Sequence, residues 1–287
     1  MNDRKPPKTG GVRSLAIAPY LETVASTHYA GSKSEQTARS ILKGLAVFFG
    51  PTKPLSSIDT PAIARYVDHL KAIGNQPSSI ARKLAVLQKA LGLAVLDDLL
   101  PRAPRIPKQR SSILGRSRPP RYLQDPEVLS LTDFLRKSYP DYLPLTDFLL
   151  ETGVRLGEAL GLEWEDVRDR IIDLWDTKNG GSRSVPLTPK AFEVLESLRS
   201  KPGGPFHHLT DYTYHRVWNK AKASIGLADD KQFVPHVLRH TFASRLVQRG
   251  ASLQVVQKLL GHSKLEMTLV YAHLSPANLA EAVALLG

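Results

Sequence analysis

The stretch that most limits what this chain can become is residues 101–121, PRAPRIPKQRSSILGRSRPPR. Its five prolines remove the amide donors and dihedral freedom that a packed helix or a central strand needs, and its seven arginines and lysines stand without a single acid. Such a segment connects structures and does not form one. It divides the 287 residues into a first domain at 15–100 and a second at 122–287, each long enough to bury its own apolar core. The chain has no cysteine, which excludes a disulfide framework, thiolate metal sites and thiol catalysis.

The linker's charge also bears on the partner. With 39 basic and 27 acidic residues the chain carries +12, and fixed cations on one surface release counterions from a phosphate backbone. A polyanion is the expected partner, and Arg110, Arg116 and Arg118 are candidate contacts to a double-stranded DNA backbone. Residues 1–14 set Arg4, Lys5, Lys8 and Arg13 against Asp3 and are expected to be a disordered basic tail. No apolar run of signal-peptide or membrane-span length follows, so the expectation is a cytoplasmic, nucleoid-associated protein with no membrane partner.

Apolar spacing predicts helices throughout the first domain. Ala38, Ile41, Leu45 and Phe48 recur at helical intervals, as do Ile63, Tyr66, Val67 and Leu70, then Ile80, Leu84, Leu87 and Leu91. Thr60-Pro61 reads as an N-cap followed by proline in the first turn. Ser79, Arg82 and Lys83, at the start of the last of these helices, are candidate contacts to DNA phosphates, although a solvated face would look the same.

The second domain opens with helices at about 126–138 and 144–152, the latter stopping at Gly153, and a short one over Leu156–Leu162. Strand signals then flank Lys178-Asn179-Gly180-Gly181, a favoured hairpin turn with Lys178 at or near its tip. Helices are expected again from Thr188-Pro189 to about Ser200, over Asp211–Ser224, His236–Arg249, Leu253–Leu260, Leu265–His273, and Ala277–Leu286. The fold class is mainly α, with one small β-sheet in the second domain.

His236 and Arg239 lie three apart and share a helix face. A planar fork of donors beside an imidazole suits phosphoryl chemistry, since one matches two phosphate oxygens and the other exchanges a proton near neutral pH. His262 follows the helix stop at Gly261, and Tyr271 comes nine positions later. A phenol, ordinarily titrating at about 10, becomes a nucleophile when cations stabilise it or a base takes its proton. Taken singly, each of these residues has a plainer reading as a solvated cation, a core histidine or a core aromatic. The histidines at 207, 208 and 215 lack the spacing and the positioned acid of a metal site.

Taken together, TGVRLGEAL at 152–160, HVLRHTFAS at 236–244, LGHS at 260–263 and VYAH at 270–273 resemble, in order and spacing, the tyrosine recombinases of the phage integrase family. The likeness spans essentially the whole second domain. The first domain and linker are similar to that family's core-binding domain and connector but carry no diagnostic motif. The resemblance implies a SAM-like helical bundle followed by a mixed α/β catalytic domain, clamping DNA between two lobes.

It also implies roles. Arg155 and Arg239 would be the two phosphate-binding arginines, Lys178 the hairpin acid, His236 the box histidine, His262 a further donor and Tyr271 the nucleophile. Glu158 would orient an arginine, a surface carboxylate being the equal alternative. His240, turned roughly 100° around the helix from Arg239, is expected to make a buried structural hydrogen bond. No metal or ATP is implied. The implied partner is a recombination site, bound by a homotetramer on two duplexes that is monomeric without DNA, with accessory DNA-bending factors; the C-terminal helix either finishes its own core or, as in relatives of the family, docks on a neighbouring protomer, the second being favoured. The ending YAHLSP at 271–276 points to integration or excision of a phage or mobile element, with resolution of chromosome or plasmid dimers as the alternative. A type IB topoisomerase and a catalytically silent DNA-binding regulator are the other readings.

Overall fold

Apolar residues three and four apart give the first part of the chain its helices, as they do in the computed structural model, which describes residues 15–32, 34–107, 119–176 and 181–275. The chain separates into two compact units, Met1–Ser112 and Ile113–Gly287. The basic tail, Arg110, Arg116, Arg118, Lys178 and the stretch expected to form a last helix at 277–286 lie outside the described residues. Among the described residues, no helix is long and apolar enough to cross a membrane.

The first unit is built from α1 (Ile17–His28), α2 (Glu35–Phe49), α3 (Thr60–Ala72) and α4 (Pro77–Leu96). Their apolar faces meet in one core containing Ile17, Leu21, Leu45, Ile63, Leu87 and Leu91. The Tyr20 hydroxyl donates to the Ala90 carbonyl at 2.7 Å, which ties α1 to α4 without leaving a buried phenol unpaired. The cap of α3 differs from the expected one. Asp59 accepts from the Ala62 amide at 2.7 Å, and Thr60 is already helical. Two good capping residues stand side by side, and the rigid Pro61 is accommodated in the first turn in either register. On α4, Ser79 and Arg82 are exposed, whereas Lys83 is half-buried and donates to Asn75 at 2.8 Å.

Near the start of the second unit's described residues the linker's last arginine is built in: Arg121 pairs with Glu127 and Asp230, and the Leu123 amide donates to Thr241 at 2.8 Å. Then come α5 (Asp125–Ser138), α6 (Leu143–Thr152) and α7 (Leu156–Leu160), followed by β1 (Val167–Arg168), β2 (Ile171–Asp176) and β3 (Gly181–Pro186). The strands form one antiparallel sheet in the order β1-β2-β3. Ile172 pairs with Val185 and Asp176 with Gly181, so the hairpin closes around residues 177–180. Ile172, Leu174 and Val185 turn to the core, as alternation along a strand requires. The two-residue β1 was too short to give a sequence signal.

Helices α8 (Pro189–Ser197), α9 (Asp211–Ser224), α10 (His236–Gln248) and α11 (Leu253–Leu260) complete the unit. The middle of this arrangement is α10, whose buried residues Val237, Leu238, Thr241, Ala243 and Val247 are not confined to one stripe. A helix covered around most of its circumference is an internal strut and holds its side chains rigidly. In place of the helix expected over 265–273, two 3₁₀ turns, Leu265–Met267 and Leu269–Leu274, are separated at Thr268. Thr268 is fully buried, its hydroxyl lies against His262, and the backbone on either side of it bonds i→i+3.

Helix α6 ends at Gly153, in the left-handed region at φ 64°. A Cβ at this position would run into the Phe242 ring of α10. Gly153→Ala is therefore expected to cost about 2–4 kcal/mol of stability, from backbone strain added to overpacking, as measured by denaturant unfolding.

Candidate active site

The last carbonyls of a helix have no partner within it and carry the negative end of its dipole. At the end of α11 three consecutive carbonyls each accept from a different arginine. Arg183 Nε donates to Leu259 at 3.1 Å, Arg239 Nη2 to Leu260 at 2.6 Å and Arg155 Nη2 to Gly261 at 3.3 Å. The arginines come from β3, α10 and the residue preceding α7, so one helix end gathers cations from three elements. Gly261 makes this possible: it sits at φ 65°, and a Cβ there would lie 2.8 Å from the Arg183 guanidinium.

Glu158 joins two of the three. It accepts from the Arg155 amide at 2.8 Å and the Arg155 guanidinium at 2.6 Å, and from both terminal nitrogens of Arg183 at 3.0 and 2.6 Å. Burial pushes its carboxyl up, but the Arg183 hydrogen bonds and the Arg155 amide outweigh burial and hold it at about 2. Arg239 is 3% exposed and also donates to the Gly153 carbonyl at 2.9 Å. Burial first, then the charge of Arg155, brings it down to about 10, so it stays a cation at neutral pH.

The imidazoles lie against these cations. His236 is held below its ordinary value by burial and by Arg239 and Arg155. Its ring meets the edge of His240 at 4.8 Å between centroids. His240 and His262 are both pushed down to about 4, mainly by burial and then by neighbouring positive charge, and both are neutral at pH 7. His262 Nδ1 lies 2.9 Å from the Thr268 hydroxyl.

Tyr271 is 1% exposed, and its hydroxyl lies 2.6 Å from His240 Nδ1. Burial raises the phenol to about 12, although Arg239 pulls the other way. Both groups are neutral at pH 7, and the tautomer of His240 sets which of them donates. The structure thus brings Arg155, Glu158, His236, Arg239, His240, His262 and Tyr271 into one cluster. Beside His236 and Arg239 opens a cleft of about 220 Å³, lined also by Leu149, Val154, Leu156 and His215.

Two features differ from the sequence expectation. His240 does make a buried hydrogen bond, but its partner is the candidate nucleophile and not a remote part of the core. Arg183 had no place among the expected residues. In the sequence it lies between two serines just past the hairpin, where it looks like any solvated strand cation. The histidine group considered for a metal stays unassigned: among the described residues, no cluster of three or more His, Asp or Glu is placed to hold an ion.

Fold and cluster together define the class of the tyrosine recombinases, enzymes that transfer DNA strands. The model of the phage integrase family matches residues 121–278, more than half of the chain, and the chain belongs to that family. It is similar to a tyrosine recombinase of Pseudothermotoga lettingae, 31% identical over 235 residues, which cover 75% of this chain and 79% of the relative. It is also similar to the tyrosine recombinase XerC of Erythrobacter litoralis, 28% identical over 94% of this chain and 91% of that one. Among solved structures, the Tn1549 transposon integrase in complex with a circular intermediate DNA matches with a TM-score of 0.75. That match covers 95% of this chain and 99% of the integrase at 19% identity, a likeness of fold.

The neutral imidazoles set an acid limit on stability. Unfolded, His240 and His262 take up protons near 6.5; folded, they do so only near 4. Their contribution is complete above about 6.5 and is lost as the pH falls toward 4. The melting temperature is expected to drop between pH 7 and pH 5, and a His240→Asn/His262→Asn variant should show a shallower slope over that interval.

Proposed function

We propose that the chain cuts and rejoins double-stranded DNA at specific sites, with Tyr271 as the attacking group. The observation that carries this reading is the gathering of three guanidiniums at the end of α11, with Arg239 and His240 beside the buried Tyr271 phenol. The Tyr271 oxygen forms a bond to phosphorus as the bond to the 5′ oxygen breaks, leaving a 3′-phosphotyrosyl link that a 5′ hydroxyl from another strand reseals without ATP. Arg155 and Arg239 hold the non-bridging oxygens and the added charge of the pentacoordinate state, a service that preorganised donors perform best in a site poor in water. His262 adds a donor to the phosphate, and Lys178 protonates the leaving oxygen. His236 exchanges a proton with the phenol or orients the phosphate. With the charge met by arginines, the step needs no divalent metal.

Before DNA arrives, the resting partner of the phenol is His240 Nδ1, at 2.6 Å. Contacts to the DNA backbone are assigned to the linker arginines Arg110, Arg116 and Arg118 and to Ser79 and Arg82, which are exposed; Lys83, already held by Asn75, is a weaker candidate. Strand exchange between two duplexes needs four nucleophiles, hence a homotetramer on two sites from a monomer in free solution, aided by DNA-bending factors, in the nucleoid. The ending at 271–276 supports integration or excision of a mobile element. A second reading, dimer resolution, is favoured by the XerC relative that aligns along nearly the whole chain.

A nicked suicide substrate carrying the site should capture a covalent protein–DNA adduct that withstands denaturation and forms equally well in EDTA. Tyr271→Phe should abolish the adduct and leave DNA affinity unchanged, and Arg239→Ala should slow it by about a hundredfold or more. An adduct that survives Tyr271→Phe would refute the assignment. Relaxation of a plasmid that lacks any recombination site, without strand exchange, would point instead to a topoisomerase.

A further inference from the structure

We infer that Arg183 is a positioning residue for strand cleavage: from β3 it fixes Glu158 as an anion against the guanidinium of Arg155, and so sets the phosphate-binding arginine in place. The inference rests on the reading that Arg155 grips the scissile phosphate.

Geometry distinguishes Arg183 from an ordinary surface cation. Its side chain is only 13% exposed, whereas that of Arg155 is 39% exposed. Both of its terminal nitrogens go to Glu158, and its Nε goes to the Leu259 carbonyl. All three nitrogens are committed within the protein, and the guanidinium packs on Gly261, where an added Cβ would lie 2.8 Å from it and displace it. Arg183 is thus braced and turned inward, while the guanidinium of Arg155 puts one nitrogen on the same carboxylate and another on the Gly261 carbonyl and retains exposure toward solvent. A bidentate arginine–carboxylate pair restricts both partners far more than one contact does. The braced arginine orients the carboxylate, and the carboxylate orients the half-exposed arginine.

The electrostatics run the same way. Glu158 is faced by Arg155 at the head of its own helix, by Arg183 from β3 and by Arg239 from α10, with His262 past the end of α11 close to the same cations. Arg183 is the strongest of the influences that offset burial of the carboxyl. Without it the half-buried carboxyl takes up a proton at a higher pH, and a neutral Glu158 no longer anchors Arg155 by charge.

The test uses single-turnover adduct formation by the full chain on a suicide substrate, for wild type, Arg183→Gln, Glu158→Gln and the double variant, from pH 5 to pH 8. Arg183→Gln is expected to slow the adduct roughly tenfold at pH 7, less than direct loss of a phosphate donor does. DNA affinity should be unchanged. The deficit relative to wild type should widen as the pH falls, and this widening should vanish in the Glu158→Gln background. The double variant should be no slower than the slower single variant, because both changes break one linkage. Arg183→Lys keeps the charge without the fork and should lie between Arg183→Gln and wild type; it replaces Arg183→Gln in the comparison if that variant's melting temperature collapses. A wild-type rate in Arg183→Gln, deficits that multiply in the double variant, or a deficit independent of pH would each overturn the inference. Failure of wild type itself to form an adduct would instead sink the strand-transfer reading, and this inference with it.

Discussion

The end of α11 is the element on which the rest of the site depends. A helix terminus with unpaired carbonyls needs donors, and buried guanidiniums need acceptors. Here each requirement meets the other, at three successive residues, with arginines from elements that are far apart in the chain. Like charges placed this close repel, and each is desolvated at some cost. The carbonyl dipoles and Glu158 offset that cost without neutralising the array, which keeps a surplus of positive charge. A site that is to meet a phosphate needs such a surplus, held in place before the anion arrives.

The same surplus explains the state of the imidazoles and the phenol. Burial and neighbouring cations act in the same direction on His236, His240 and His262, and keep them neutral at physiological pH. On Tyr271 they oppose each other, and burial wins. The phenol rests protonated on His240, at the junction between α10 and the 3₁₀ turns that carry it.

Much of this was legible in the chain itself. Apolar spacing located α2, α3 and α4, the turn residues 178–181 located the hairpin between β2 and β3, and Gly153 marked the end of α6, since these signals depend on neighbours within a few positions. The candidate site residues other than Arg183 were legible as a set of motifs in order. Boundaries were less so: the cap of α3 fell one residue earlier, on Asp59, because two adjacent side chains could both have served. The helix expected around Tyr271 is instead two 3₁₀ turns that meet at the buried Thr268, against His262, and nothing in the local pattern records that burial or that contact.

Residue types, their order and their local periodicity therefore determined most of the helices, the hairpin and the chemical kinds present at the site. Which groups touch was decided only by the tertiary structure. His240 meets Tyr271 across 31 positions and Arg183 meets Glu158 across 25. Contacts of that span depend on how α10, β3 and the end of α11 pack against one another, and burial, not spacing, selects them. At the sequence level a strand arginine between serines and a histidine next to an arginine are ordinary polar residues. Enclosure at the end of α11, where every buried donor must find an acceptor, makes them parts of one array.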